Sequence, residues 1–168
     1  ELDAYPQLSK HERYGLGSSN GAGMVNYLAI HRNYFGAITS IATQLIQGIE
    51  PHAETQPVSV LQIHGMKDNL IRYDGGYSNV GLTFISAEES AEIWAMHNKC
   101  DENAEISTTN SGNRRIAYSD CAHEKRVLHY GITNAKHTVP KETEGDLFQV
   151  IWDFFREQRR TLELETTK

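Results

Sequence analysis

Short apolar, β-branched runs alternate with helix-length amphipathic segments along this chain, and that order leaves few architectures open. Phe35 to Ala42, and Pro57 to Ile63 (Pro-Val-Ser-Val-Leu-Gln-Ile, running into His64-Gly65), have the composition of strands. Ahead of the first lies Gly21 to Arg32, where Met24, Tyr27, Leu28 and His31 recur at helical spacing after a Gly/Ser turn. Beyond the second, Ser86 followed three residues later by Glu89 has capping-box spacing, opening a helix with Ala87, Ala91, Ile93, Trp94 and Met96 that runs toward Cys100. Three polar-alternating stretches follow, Ala104–Thr109, Arg115–Tyr118 and Arg126–Ile132. Gly145 to Gln158 then reads as an amphipathic helix with Leu147, Val150, Ile151, Phe154 and Phe155 on one side, and its spacing assigns Phe148 and Trp152 to the core as well. The tail 161–168 is expected to fray. Strands separated by helices imply βαβ units, so the expected fold is α/β, a mostly parallel sheet flanked by helices in one domain spanning 1–168. About four strands can be counted. That is few for an open sheet with a crevice at its carboxyl edge, and the chain looks short for its own architecture.

Composition narrows the function classes. Among 168 residues, 16 Lys and Arg face 22 Asp and Glu, a net charge of −6. Phosphate-backbone affinity comes from clustered cations, and the basic residues here are scattered, so no nucleic-acid partner is expected. No apolar run approaches the ~18 residues of a membrane span, which argues against a membrane partner. Glu1-Leu2-Asp3 shows no basic region followed by an apolar one, so the N-terminus does not choose a compartment.

Gly17-Ser18-Ser19-Asn20-Gly21 fits G-x-S-x-G, in which a serine occupies a strained strand-to-helix turn and small flanking residues relieve the crowding. Ser19 is the candidate nucleophile. The helix starting at Asn20 directs its positive end, and the Asn20 amide, at a developing oxyanion. A serine of this kind needs a histidine held by a carboxylate, and on α/β sheets these follow in the order Ser, Asp/Glu, His. Asp68, just beyond the strand ending at His64-Gly65, and His137, between the last strand and the last helix, satisfy that order. Asp74 in Tyr73-Asp74-Gly75-Gly76 competes for the acid role, and Asp68 is preferred because it follows the strand end closely. Tyr73 and Trp94 are candidate aromatic surfaces for an acyl group, with core packing as the alternative. Cys100 and Cys121, 21 positions apart, suit one loop-closing disulfide; the alternative is two free thiols. Neither C-x₂-C nor H-E-x-x-H is present, so no metal site and no cofactor is expected. His31 and His97 fall on helices as structural, surface or partly buried residues, and His11, His52, His123 and His129 have no partner motif.

The segments Gly17 to Met24, Leu61 to Asp68 followed by Tyr73-Asp74-Gly75-Gly76, and Lys136-His137-Thr138-Val139-Pro140 together resemble the polyhydroxybutyrate depolymerase and feruloyl esterase group of secreted α/β-hydrolases. Trp94 to Cys100 is similar to that group's Trp-bearing helix, which ends in an Asn-x-Cys signature, and the resemblance spans roughly residues 13–156. It implies an α/β-hydrolase-like fold and a serine esterase in which Ser19, Asp68 and His137 act together. The substrates it implies are feruloyl or acetyl esters of plant polysaccharide, or short hydroxyalkanoate polyesters. It also implies a Cys100–Cys121 bridge, secretion, and a structural role for His64 in the turn that supports the Asp68 loop. Val139 stands where the family usually has Trp, and Ala135-Lys136 where it has a Gly pair. Family domains carry further N-terminal strands and a loop with the second oxyanion amide, so the expectation is that a preceding segment or another copy completes the sheet. The alternative reading is an inactive hydrolase-like fragment serving as a binding module.

Overall fold

The computed structural model describes residues 12–141 and 143–165, with side chains described through Gln158. Its main sheet has six strands: β1 (Tyr14–Ser18), β2 (Ala37–Ile41), β3 (Ser59–Gly65), β6 (Glu105–Thr108), β7 (Arg114–Tyr118) and β8 (Val127–Ile132). A separate two-stranded ribbon pairs β4 (Gly76–Tyr77) with β5 (Thr83–Phe84). The main order is β1-β2-β3-β8-β7-β6. β1, β2, β3 and β8 run parallel, whereas β7 and β6 form an antiparallel hairpin along the outer side of β8. This is a mostly parallel α/β sheet with two more strands than the sequence count. Tyr-Gly-Leu-Gly-Ser forms β1, the strand that leads into the turn at Ser19, held extended by parallel pairing with β2.

Among the described residues three α-helices flank the sheet: α1 (Asn20–Arg32), α2 (Ala87–His97) and α3 (Leu147–Glu165). Successive residues of β3 point to opposite faces, so Val60 joins the α1/α2 core while Leu61 and Ile63 join the α3 core. Burying each such side chain contributes about 1.5–3 kcal/mol.

The helices stand where their periodicity placed them, but two present different faces. In α1 the buried stripe is Ala22, Val25, Asn26, Ala29 and Ile30, whereas Met24 and Tyr27 are exposed. In α3, Leu147, Ile151, Phe154 and Phe155 are buried, and Phe148 and Trp152 are more than half exposed, correcting their assignment to the core. A helix packed on one side buries a single stripe, and at about 100° per residue positions 148 and 152 fall past its edge. α3 also runs as helix through Glu165, five residues into the stretch expected to fray; 166–168 lie outside the described residues. His11 lies outside them too.

The Ser86 cap forms as its spacing predicts, with the Ser86 hydroxyl accepting the Glu89 N–H at 3.2 Å. At the other end of α2, the Asn98 amide accepts the Val58 N–H at 3.2 Å and donates to the Val58 carbonyl at 2.7 Å, pinning the entry to β3. Cys100 and Cys121 are joined by a disulfide that ties the end of α2 to the segment between β7 and β8. A closed loop of this length stabilises the chain by about 3 kcal/mol. Among the described residues no helix is long and apolar enough to cross a membrane.

Candidate active site

Parallel strands end together, so β1, β3 and β8 deliver their following loops to one edge of the sheet. Ser18 pairs with Ile41 and Gly65 with Ile132, which brings Ser19, Asp68 and His137 within reach across 118 residues of sequence. The loops are fastened to one another as well. The Lys67 N–H donates to the Ala135 carbonyl at 2.9 Å, and the Met66 N–H to the Ile132 carbonyl at 3.0 Å. Gly65 permits this approach, because a Cβ there would stand 2.2 Å from the Lys136 carbonyl oxygen.

Ser19 sits at the turn from β1 into α1 with φ 53° and ψ −122°, a backbone conformation that costs a non-glycine residue on the order of 1–3 kcal/mol. Its N–H is spent on the Ile41 carbonyl at 2.8 Å, and its carbonyl accepts the N–H groups of Ala22 and Gly23. A Cβ at Gly17 would meet the Gly21 carbonyl oxygen at 2.1 Å, so the turn demands glycine there. Gly21 differs from the sequence expectation: a Cβ at that position meets nothing within 4 Å, and the crowding falls on one side of the serine. Asn20 is the first residue of α1 and so stands at the positive end of that helix, directly after Ser19.

The Ser19 Oγ lies 2.8 Å from His137 Nε2, and His137 Nδ1 lies 2.8 Å from Asp68 Oδ2. Asp68 is buried and accepts the Leu70 and Ile71 N–H groups on Oδ1, at 2.8 and 3.0 Å. Burial alone would raise its pKa, but hydrogen bonds from His64, His137 and the two backbone amides outweigh that and lower it from 3.8 to about 2. The ionised carboxylate takes the Nδ1 hydrogen of His137, leaving Nε2 as the acceptor for the serine hydroxyl. Asp74, the competitor, is exposed.

A cleft of about 490 Å³ opens beside Ser19 and His137, walled by Leu16, Val139, Leu147 and Phe148. Larger hollows of about 690 and 660 Å³ lie near the disulfide and contain none of these three polar residues. Phe148 was missed as a cleft residue because its helical position looked like core; its place one step off the buried stripe is the signal that separates the two.

Tyr73 and Trp94 lie apart from the cleft, which corrects their candidacy as acyl-binding surfaces. Trp94 is 1% exposed in the α1/α2 core. Tyr73 belongs to a buried chain of hydrogen bonds that the sequence did not disclose. Gln62 Nε2 donates to the Ala87 carbonyl at 2.7 Å and lies 3.1 Å from His129 Nδ1, so that nitrogen is the acceptor. His129 Nε2 then donates to the Tyr73 oxygen at 2.8 Å, and the Tyr73 hydroxyl donates to Glu88, which pairs with Arg114. Burial, with smaller contributions from His64 and Arg114, lowers the His129 pKa to about 3; burial and Glu88 raise that of Tyr73. Gln62 and His129 are direct partners in the β3–β8 register, the pattern that could have exposed the pair. His64, fully buried, lies with Nε2 2.8 Å from the Ile71 carbonyl and 3.3 Å from Asp68 Oδ2, on the Asp68 loop. Among the described residues no three His, Cys, Asp or Glu side chains assemble as metal ligands.

The chain is similar to feruloyl esterase B of Piromyces equi. The two are 28% identical over 152 residues, covering 86% of this chain and 27% of that protein. The chain thus spans about a quarter of the relative's length, and no protein-family model matches it. The similarity supports an esterase relationship.

Proposed function

We propose that this chain is a serine carboxylic-ester hydrolase on an α/β-hydrolase-type fold, with Ser19 as nucleophile, His137 as general base and then acid, and Asp68 as the carboxylate that orients and stabilises the imidazolium. The supporting observation is the continuous line from Ser19 Oγ through His137 to the buried Asp68, at 2.8 Å and 2.8 Å, beginning at a strained serine. Ser19 attacks the ester carbonyl as His137 takes its proton. The Asn20 amide, at the positive end of α1, holds the tetrahedral oxyanion, and His137 returns the proton to the leaving alcohol. Water activated by the same imidazole then releases the acyl group.

The apolar wall of Leu16, Val139 and Phe148 suits an acyl chain or ring, and the similarity to a feruloyl esterase favours hydroxycinnamoyl esters over polyesters. The Cys100–Cys121 bridge supports an oxidising workplace outside the cytosol. Asn20 is the one oxyanion amide identified among the described residues.

Hydrolysis of p-nitrophenyl acetate and methyl ferulate by the purified chain, beside Ser19→Ala, tests the reading. Turnover abolished by the substitution is the expected result. Equal rates for the two proteins, or none on either ester, would leave the chain as a hydrolase-like binding module.

A further inference from the structure

Asp68 is held by two histidines. Besides His137, its Oδ2 faces His64 Nε2 at 3.3 Å, and the same nitrogen lies 2.8 Å from the Ile71 carbonyl. Both neighbours accept, so Nε2 carries the hydrogen and shares it between them. His64 Nδ1 is buried without a hydrogen-bond partner. A buried imidazole with an unpartnered nitrogen costs stability that an apolar residue of similar shape would not, so packing alone is a poor reason for a histidine here.

We propose that His64 is a positioning residue for the Ser19–His137–Asp68 site, its Nε2–H fixing the Asp68 carboxylate so that Oδ2 faces His137; this rests on the esterase reading above. The backbone amides of Leu70 and Ile71 fix Oδ1. Rotation about Cβ–Cγ moves both oxygens together, so the amides on Oδ1 and the His64 hydrogen on Oδ2 resist the same rotation from the two ends of the carboxylate. His64 supplies the second fixed point and, through Ile71, clamps the loop that carries the aspartate. The groups packed around His64 are compatible with this role: the Tyr73 ring stands edge-on at 6.0 Å and His129 lies beyond it, its hydrogens already committed to Tyr73. Neither competes for the His64 hydrogen. The β3 position matters too, because a side chain anchored in the central sheet moves less than one on a loop.

Two polar variants separate positioning from packing. The Gln amide nitrogen reaches the place of Nε2, whereas the Asn amide ends near the place of Nδ1 and cannot reach Asp68. His64→Asn is expected to lower kcat about ten- to hundredfold with KM unchanged, and His64→Gln to restore most of it. In parallel, the strongly downfield proton of His137 Nδ1 in the nuclear magnetic resonance spectrum should persist in His64→Gln and be lost or broadened in His64→Asn, at equal thermal stability. This resonance needs no turnover, so if the unmodified chain proves inactive on esters, the esterase reading falls while the spectrum still decides the role of His64. An unchanged resonance and kcat in His64→Asn, or equal losses in the two variants, would overturn the proposal.

Discussion

Asp68 and His129 both have a lowered pKa in the fold, and both tie stability to acid pH. Asp68 is lowered from 3.8 to about 2, so the folded state favours its carboxylate: the stabilisation is complete above pH ~4 and lost as pH falls toward 2, roughly 2 kcal/mol in all. His129 is lowered from 6.5 to about 3 because burial excludes the charged ring. The unfolded chain therefore takes up a proton below pH ~6.5 that the folded chain refuses, and stability declines as pH falls from 6.5 toward 3. Urea midpoints measured at pH 7, 5 and 4 should fall for the unmodified chain and fall less steeply for His129→Gln. Parallel pH dependences in the two proteins would show that His129 is not held neutral. Chain order placed Asp68 and His137 in partnership, since the acid and base had to follow the serine. The Gln62–His129–Tyr73 chain was not legible, because each member is an isolated polar residue until β3 and β8 are known to be neighbours.

Secondary-structure elements here fix where loops arrive. β1, β3 and β8 each end in a loop that carries one member of the site, and two glycines allow the backbone to pass closely where it must. Their partners in sequence do not share that demand. Gly17→Ala drives a methyl group to 2.1 Å from the Gly21 carbonyl oxygen, whereas Gly21→Ala meets nothing within 4 Å. Chemical denaturation should accordingly show a loss of several kcal/mol for Gly17→Ala, and no loss or a gain of about 0.5–1 kcal/mol for Gly21→Ala in the first turn of α1. Equal effects would mean that the turn is not built as described. The pentapeptide pattern made both glycines look equivalent, and only the turn's handedness tells them apart. Helix positions were readable from periodicity, but buried faces were less so: large apolar residues such as Met24, Phe148 and Trp152 drew the stripe toward themselves, although all three are exposed.

At the scale of the whole molecule, a mostly parallel sheet gathers three distant polar side chains at one edge, buries the carboxylate, half-buries the imidazole and leaves the serine beside an apolar cleft. The hairpin of β7 and β6 extends the sheet beyond β8, and the disulfide secures the segment that follows the hairpin to the end of α2 without touching the cleft. Nucleophilicity of Ser19 is the property on which all of this converges, and it does not require fast turnover. The most direct measurement is treatment with a serine-directed fluorophosphonate followed by intact mass and peptide mapping. One covalent adduct on Ser19, absent from Ser19→Ala and strongly slowed in His137→Ala, is the predicted result; an unlabelled Ser19 in the folded protein would contradict the account.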